Sequence, residues 1–106
     1  MIYELRTYYA APGQTERIHR RFADHTRRLF TKHGIGMVGF WIPTDNPDCL
    51  VYMLKFDDEA HMKAAWAAFA ADPEWKEAKA ASEAEGRLVR DFTSQVLRAT
   101  DYSPPV

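Results

Sequence analysis

The sequence predicts an α+β protein with a ferredoxin-like βαββαβ order and a four-stranded antiparallel sheet. Three observations carry this prediction. Strand-like segments stand at both ends of the chain, two long segments have the period of an amphipathic helix, and a strand–turn–strand segment lies between those helices. Right-handed crossovers then place both long helices on one face of the sheet.

The first strand is predicted over residues 2–9, and the first helix over 14–33. The segment IYELRTYY is rich in β-branched and aromatic residues, which favour a strand, and Pro12 and Gly13 break it. Gly34 suits the left-handed position that follows a last helical turn. An apolar stripe with spacings of four, three and four runs along the helix: Ile18, Phe22, His25 and Leu29.

The hairpin MVGFWIPTDNPDCLVYMLKF has strands over 37–42 and 49–56 with a polar turn between them. Because side chains alternate along a strand, both faces of this hairpin carry apolar residues. The helices can cover only one face, and an open apolar sheet face is too large for a stable monomer. We therefore predict a homodimer in which two copies pack their sheets face to face.

The second half of the chain predicts two more helices and a final strand. In DDEAHMKAAWAAFAAD, Asp57 or Asp58 caps a helix whose apolar stripe contains Met62, Ala65, Trp66 and Phe69. Asp72 and Pro73 begin a shorter third helix, with proline at the position where its missing donor costs nothing. The last strand is predicted over 92–99.

Composition limits the function classes. The chain has 106 residues, which fits one domain over 1–106, with 46% hydrophobic and 27% charged residues. A net charge of −1 gives no bulk attraction to nucleic acid or to a membrane surface, and no apolar run reaches the ~20 residues of a membrane span. The single Cys49 cannot form an internal disulfide, so we expect a cytoplasmic protein.

His25 is the only candidate for a catalytic residue, because the helical stripe directs it toward the sheet. It can be a hydrogen-bonded core residue, part of a pocket wall, or a general base. His33 lies at the helix end, where it can cap the last carbonyls. The four histidines are never three or four residues apart, so we predict no metal site.

Four residues are candidates for a ligand pocket between the helices and the sheet. Trp41 and Trp66 are the large aromatic residues suited to its walls, and Tyr52 and His25 complete the set. For Trp66 a plain core position is the alternative.

The first strand carries a polar set, Glu4, Arg6 and Tyr8, on one face. If Leu5 faces the helices, this set faces the partner sheet. Buried charges must be paired, so Glu4 and Arg6 would then form ion pairs inside the dimer.

The motifs YELRTYYAAPGQ, GFWIPTDNPDCLVYMLKFDD, W…FAADPEWK and LRATDYSP, taken in order, resemble the NIPSNAP domain family over essentially the whole chain. The resemblance implies a dimeric α+β barrel. Relatives in that superfamily include cofactor-free monooxygenases and isomerases, and others are ligand-binding modules. The resemblance carries no catalytic residue set. We therefore expect a protein of unknown function with a candidate pocket for a small aromatic ligand and no cofactor, and the alternative is a monooxygenase-like enzyme.

Overall fold

The computed structural model describes all 106 residues, and it confirms the ferredoxin-like α+β fold. The elements in chain order are β1 (Ile2–Ala10), α1 (Thr15–Arg21), a π-helical turn (Phe22–Thr26), α2 (Arg27–Lys32), β2 (Gly36–Trp41), β3 (Cys49–Phe56), α3 (Glu59–Ala71), α4 (Pro73–Ser82) and β4 (Val89–Leu97). The sheet order is β2-β3-β1-β4, and every neighbouring pair is antiparallel.

The helices all lie on one side of the sheet, where they build an aromatic core. Tyr52 of β3 is fully buried, and its ring meets those of Phe22 at 5.2 Å and Phe40 at 5.5 Å. Phe30 of α2 packs against Phe69 of α3 with ring centroids 5.1 Å apart. Burial of this aromatic area is the main force that attaches the helix layer to the sheet.

The predicted first helix is one rod interrupted by a π-helical turn. The amide of Arg27 donates to the carbonyl of Phe22, five residues back, and the flanking residues keep right-handed helical dihedrals. A π-turn inserts one extra residue into the helical period. Thr26 therefore occupies the place that the sequence pattern gave to His25. The buried positions of this rod are Ile18, Arg21, Phe22, Thr26, Leu29 and Phe30.

The predicted hairpin is present, with one irregularity in β2. A bulge between Met37 and Gly39 shifts the register, so that Met37 pairs with Leu54 while Gly39 pairs with Met53. Met37 therefore joins the helix-facing side, which the regular alternation did not predict.

The edge strand β4 is largely uncovered. It begins three residues earlier than predicted, at Val89, and its interior residues are exposed. On the side of the sheet that carries the helices, Phe92 is 51% exposed and Val96 is 46% exposed, so the helix layer stops short of this strand. No helix has the length and apolar composition needed to cross a lipid bilayer.

Candidate functional site

A cleft of about 510 Å³ opens where the helix layer stops, between α4 on one side and β4 on the other. Arg6 and Tyr8 of β1 line it from the sheet, and Phe92 of β4 closes one edge. Across the opening, α4 contributes Trp75 and Lys79.

Glu4 lies beside this cleft and is only 4% exposed. Its Oε1 accepts a hydrogen bond from the Trp66 indole Nε1 at 2.7 Å. Its Oε2 accepts from Arg6 Nη1 at 2.9 Å and from Ser94 Oγ at 2.6 Å. Three donors, of which Arg6 is a cation, therefore compensate the buried carboxylate, which leaves it poorly suited to act as a general base.

Arg6 is held between aromatic rings. Its guanidinium carbon lies 4.6 Å from the Trp66 ring centroid, 4.8 Å from that of Phe92 and 5.5 Å from that of Tyr8. Burial works against its charge, but the oxygens of Tyr52, Tyr8 and Glu4 outweigh that cost and raise the pKa of Arg6 above its ordinary value. Arg6 is therefore a permanent cation in a site with apolar walls.

Two tyrosines continue the network from Arg6 into the core. Arg6 Nη2 donates to the Tyr8 hydroxyl at 3.2 Å, and the Tyr52 hydroxyl donates to the same oxygen at 2.9 Å. Burial raises the pKa of Tyr52 well above its usual range, Tyr8 adds to this effect, and Arg6 opposes it. Tyr52 is therefore a neutral donor at physiological pH.

The walls of the cleft are mainly basic. Arg21, Lys79, Arg87 and Arg90 line it together with Arg6, against the carboxylates of Glu83 and Asp91. Arg21 of α1 is 6% exposed and has a buried Nε without a hydrogen-bond partner. Its Nη1 contacts Ser82 Oγ at 3.2 Å and Glu83 Oε2 at 3.4 Å.

The predicted face of the β1 polar set is wrong. Glu4, Arg6 and Tyr8 point toward the helices, and Leu5 points to the open side of the sheet. The register pairs Arg6 with the fully buried Tyr52, which fixes the side to which both residues point. These polar groups are tolerated there because they lie at the margin of the helix layer and hydrogen-bond to one another, although the buried Arg6 Nε has no partner.

The predicted place of His25 facing the sheet is also wrong, because the π-helical turn rotates it away. His25 is partly exposed and lines a different groove, of about 470 Å³, between α1 and α4. His33 does not cap helix carbonyls with its ring. Its Nε2 instead contacts Asp72 Oδ2 at 2.7 Å, where Lys32 Nζ also binds at 2.8 Å.

The other pocket candidates separate into two groups. Trp66 and Tyr52 belong to the network that contacts Arg6 and Tyr8. Trp41 lies on the opposite face of the sheet and is 51% exposed, so it does not line this cleft. Sequence reasoning missed Phe92 and Ser94, although their alternate positions on a strand that pairs with β1 were a signal for them.

No group of three or more potential metal-ligating side chains (His, Cys, Asp or Glu) comes together in the structure.

Comparison with known proteins identifies a family and similar solved structures. The NIPSNAP family pattern matches residues 3–104. A NIPSNAP domain protein of Burkholderia xenovorans, described as uncharacterised, has 22% identity and a TM-score of 0.84, with 99% of this chain and 100% of that chain covered. A NIPSNAP family protein of unknown function from Agrobacterium tumefaciens has 21% identity and a TM-score of 0.83, with 98% and 92% covered.

A more distant structure is that of an antibiotic biosynthesis monooxygenase, with 15% identity and a TM-score of 0.61, covering 94% of this chain and 99% of that one. At such identities the likeness shows the fold alone. No curated protein matches the sequence. With its family pattern spanning residues 3–104, the chain belongs to the NIPSNAP family.

Proposed function

We propose that this protein is a homodimer that binds a small organic anion with a flat apolar ring in the cleft between α4 and β4. The observation that carries the proposal is the position of Arg6, a permanent cation that lines the cleft among three aromatic rings. Glu4 pairs with Arg6 at 2.9 Å, so the rings around Arg6 offer stacking surface and the net positive charge of the cleft comes from the further cations on its walls.

The size and walls of the cleft support a ligand of this class. A volume of about 510 Å³ suits a small molecule. Phe92 and Trp75 offer aromatic surface, while the rim residues Arg87 and Arg90 are exposed cations able to meet a carboxylate or a phenolate. The rim would attract the anion, and the rings would hold its apolar part.

The dimer is proposed from the open face of the sheet. No element of the chain covers this face, and apolar side chains project from all four strands, namely Tyr3, Leu5, Trp41, Val51, Met53 and Leu97. They share the face with Thr7, Lys55, Thr93 and Gln95. An exposed sheet face with this many apolar side chains is expected to be buried against a second copy. The buried, unpaired Cys49 supports a cytoplasmic location for the assembly.

Ligand binding is tested by titrating tryptophan fluorescence with benzoate and with benzamide, its neutral isostere. We expect benzoate to bind at least about tenfold more tightly, and the preference to weaken at high salt. The double variant Arg87→Gln/Arg90→Gln should lose the preference, whereas Arg27→Gln, an exposed change on α2, should keep it. Equal binding of the two compounds, or of neither at millimolar concentration, would contradict the proposal.

The dimer is tested by sedimentation at micromolar concentration. Wild-type protein and Ala68→Glu, which adds a charge to the exposed side of α3, should sediment as dimers. Met53→Glu, at the centre of the open face, should sediment as a monomer because it would bury a charge in the interface. A wild-type monomer would refute the face-to-face arrangement.

An enzymatic role is a second candidate, since the fold is shared with the antibiotic biosynthesis monooxygenase. The cleft would then serve a cofactor-independent oxygenase or isomerase. An oxygen electrode, with product analysis on the tightest ligand from the titration, distinguishes the roles. If the ligand is recovered intact and the oxygen concentration stays constant, the protein has a binding role and not an enzymatic one.

A further inference from the structure

We infer that the Tyr8 hydroxyl donates a hydrogen bond to an oxyanion of the ligand, so that the cleft selects phenols and enols in their ionised form. This inference rests on the proposed function and narrows its ligand class. It follows from the hydrogen-bond inventory of the Tyr8–Tyr52 pair.

The two hydroxyls hold two protons between them, and only one of these protons is used within the pair, in the 2.9 Å bond from Tyr52 to Tyr8. Arg6 adds a third donor at 3.2 Å, and it has no acceptor capacity to offer in return. One phenolic proton is therefore left without any protein acceptor. Tyr52 is 0% exposed while Tyr8 lines the cleft, so the unassigned proton is that of Tyr8.

The surroundings of this hydroxyl favour a negatively charged acceptor. Donation from Tyr52 and Arg6 into the Tyr8 oxygen polarises its O–H bond, which strengthens the bond that it can donate. Hydrogen bonds to an ionised acceptor are roughly twice as strong as those between neutral groups. A ligand oxyanion therefore gains more from this donor than the neutral hydroxyl of the same ligand does.

The charges around the donor act in the same direction. The titratable groups on the elements that meet here are Glu4 and Arg6 of β1, Tyr52 of β3, Arg21 of α1, Lys79 of α4, Glu83 directly after α4, and Arg87, Arg90 and Asp91 on the β4 side. These comprise five cations and three carboxylates. One carboxylate, Glu4, is already occupied by three donors. The field at the cleft is therefore positive.

The experiment uses 4-nitrophenol, whose absorbance distinguishes the neutral from the ionised form. We expect the bound nitrophenol to titrate at a pKa about one unit or more below that of the free compound, since protonation replaces a hydrogen bond to a charged oxygen by a weaker one to a neutral hydroxyl. A bound nitrophenol that titrates at or above its free pKa would overturn the inference. This measurement needs only the wild-type protein.

Tyr8→Phe keeps the ring and removes the donor. It should weaken binding of the phenolate by about tenfold to a hundredfold and leave binding of benzamide unchanged. Tyr9→Phe is the matched control, because the neighbouring residue on β1 faces the other side of the sheet. Circular dichroism and the thermal midpoint verify that each variant is folded.

The outcomes separate this inference from the proposed function. If benzoate and nitrophenolate bind and Tyr8→Phe changes neither affinity, the Tyr8 donor is refuted while the anion site stands. If no organic anion binds to the wild-type protein, both fall. A lowered pKa of bound nitrophenol that is abolished by Tyr8→Phe and kept by Tyr9→Phe supports both.

Discussion

Replacing Glu4 by glutamine removes one negative charge from the buried network and keeps the shape of the side chain. The carboxylate now accepts three hydrogen bonds, from Trp66, Arg6 and Ser94. In Glu4→Gln the amide oxygen can still accept from Trp66, but the amide nitrogen faces the other two donors. The buried Arg6 also loses its counter-ion.

The expected cost is large because both partners of the ion pair are shielded from water. The side chains of Arg6 and Glu4 are 14% and 5% exposed. Two lost hydrogen bonds to a charged group correspond to about 3–6 kcal/mol. Breaking a buried ion pair by removing one partner costs about 3–5 kcal/mol in other proteins, so we expect a loss of about 3–5 kcal/mol in the free energy of unfolding.

Urea unfolding at one fixed protein concentration measures this loss, since association would otherwise shift the apparent stability. The matched control is Glu85→Gln, which removes a carboxylate from the pair with Arg17. That pair is formed at 2.6 Å, but its side chains are 43% and 72% exposed. An exposed pair contributes at most about 1 kcal/mol, so the control should unfold close to wild type.

The double variant Glu4→Gln/Arg6→Met distinguishes charge from packing. Removing the cation as well should restore part of the stability, because the unpaired charge is then gone. If Glu4→Gln costs no more than Glu85→Gln, the network does not carry the energy that its geometry implies, and the account of Arg6 as a cation held by Glu4 is wrong.

Three further predictions concern the helix layer. Hydrogen bonds from Lys32 and His33 lower the pKa of Asp72. The ionised carboxylate therefore stabilises the fold above its unfolded pKa of about 4, and this stabilisation is lost as the pH falls through the lower folded pKa. In thermal melts from pH 7 to pH 2, Asp72→Asn should reduce the dependence of the melting temperature on acid. Gly34→Ala forces a side chain into a backbone with φ of 71° and should cost about 1–2 kcal/mol in urea unfolding. Phe30→Ala, at 1% exposure, should cost about 3–5 kcal/mol in the same assay, and a loss under about 1 kcal/mol would contradict the core assignment.

Periodicity predicted the elements well, because burial on one face leaves a regular trace in the sequence. The second hairpin strand, Cys49–Phe56, begins and ends where the alternation predicted. Asp72 and Pro73 begin α4 as their cap chemistry requires, with Asp72 Oδ1 accepting from the Glu74 amide. Such local rules work where the conformation of a residue depends mainly on its neighbours in the sequence.

The site was not predictable in the same way, because one local irregularity and one long-range pairing decide it. The π-helical turn moves His25 off the apolar stripe, and the residue types at 22–26 do not predict such a turn. For β1, the pattern alone cannot say which of two half-apolar faces meets the helices. That choice depends on Tyr52, which is 44 residues away in the chain and hydrogen-bonds to Tyr8.

The cleft and the open sheet face have the same physical origin. A chain of this length forms a four-stranded sheet, but its helices cover one side only, and they stop before β4. The far side is left apolar, which favours a second copy. Burying charged residues at the uncovered margin near β4 is costly, so Glu4 and Arg6 form an ion pair there, and the Ser94 hydroxyl and the Trp66 indole also donate to Glu4. Tyr8 lies at the end of this network, beside the cleft, and its proton has no acceptor within the protein. Because the helix layer stops before β4, this hydrogen-bond donor lies where a ligand can reach it.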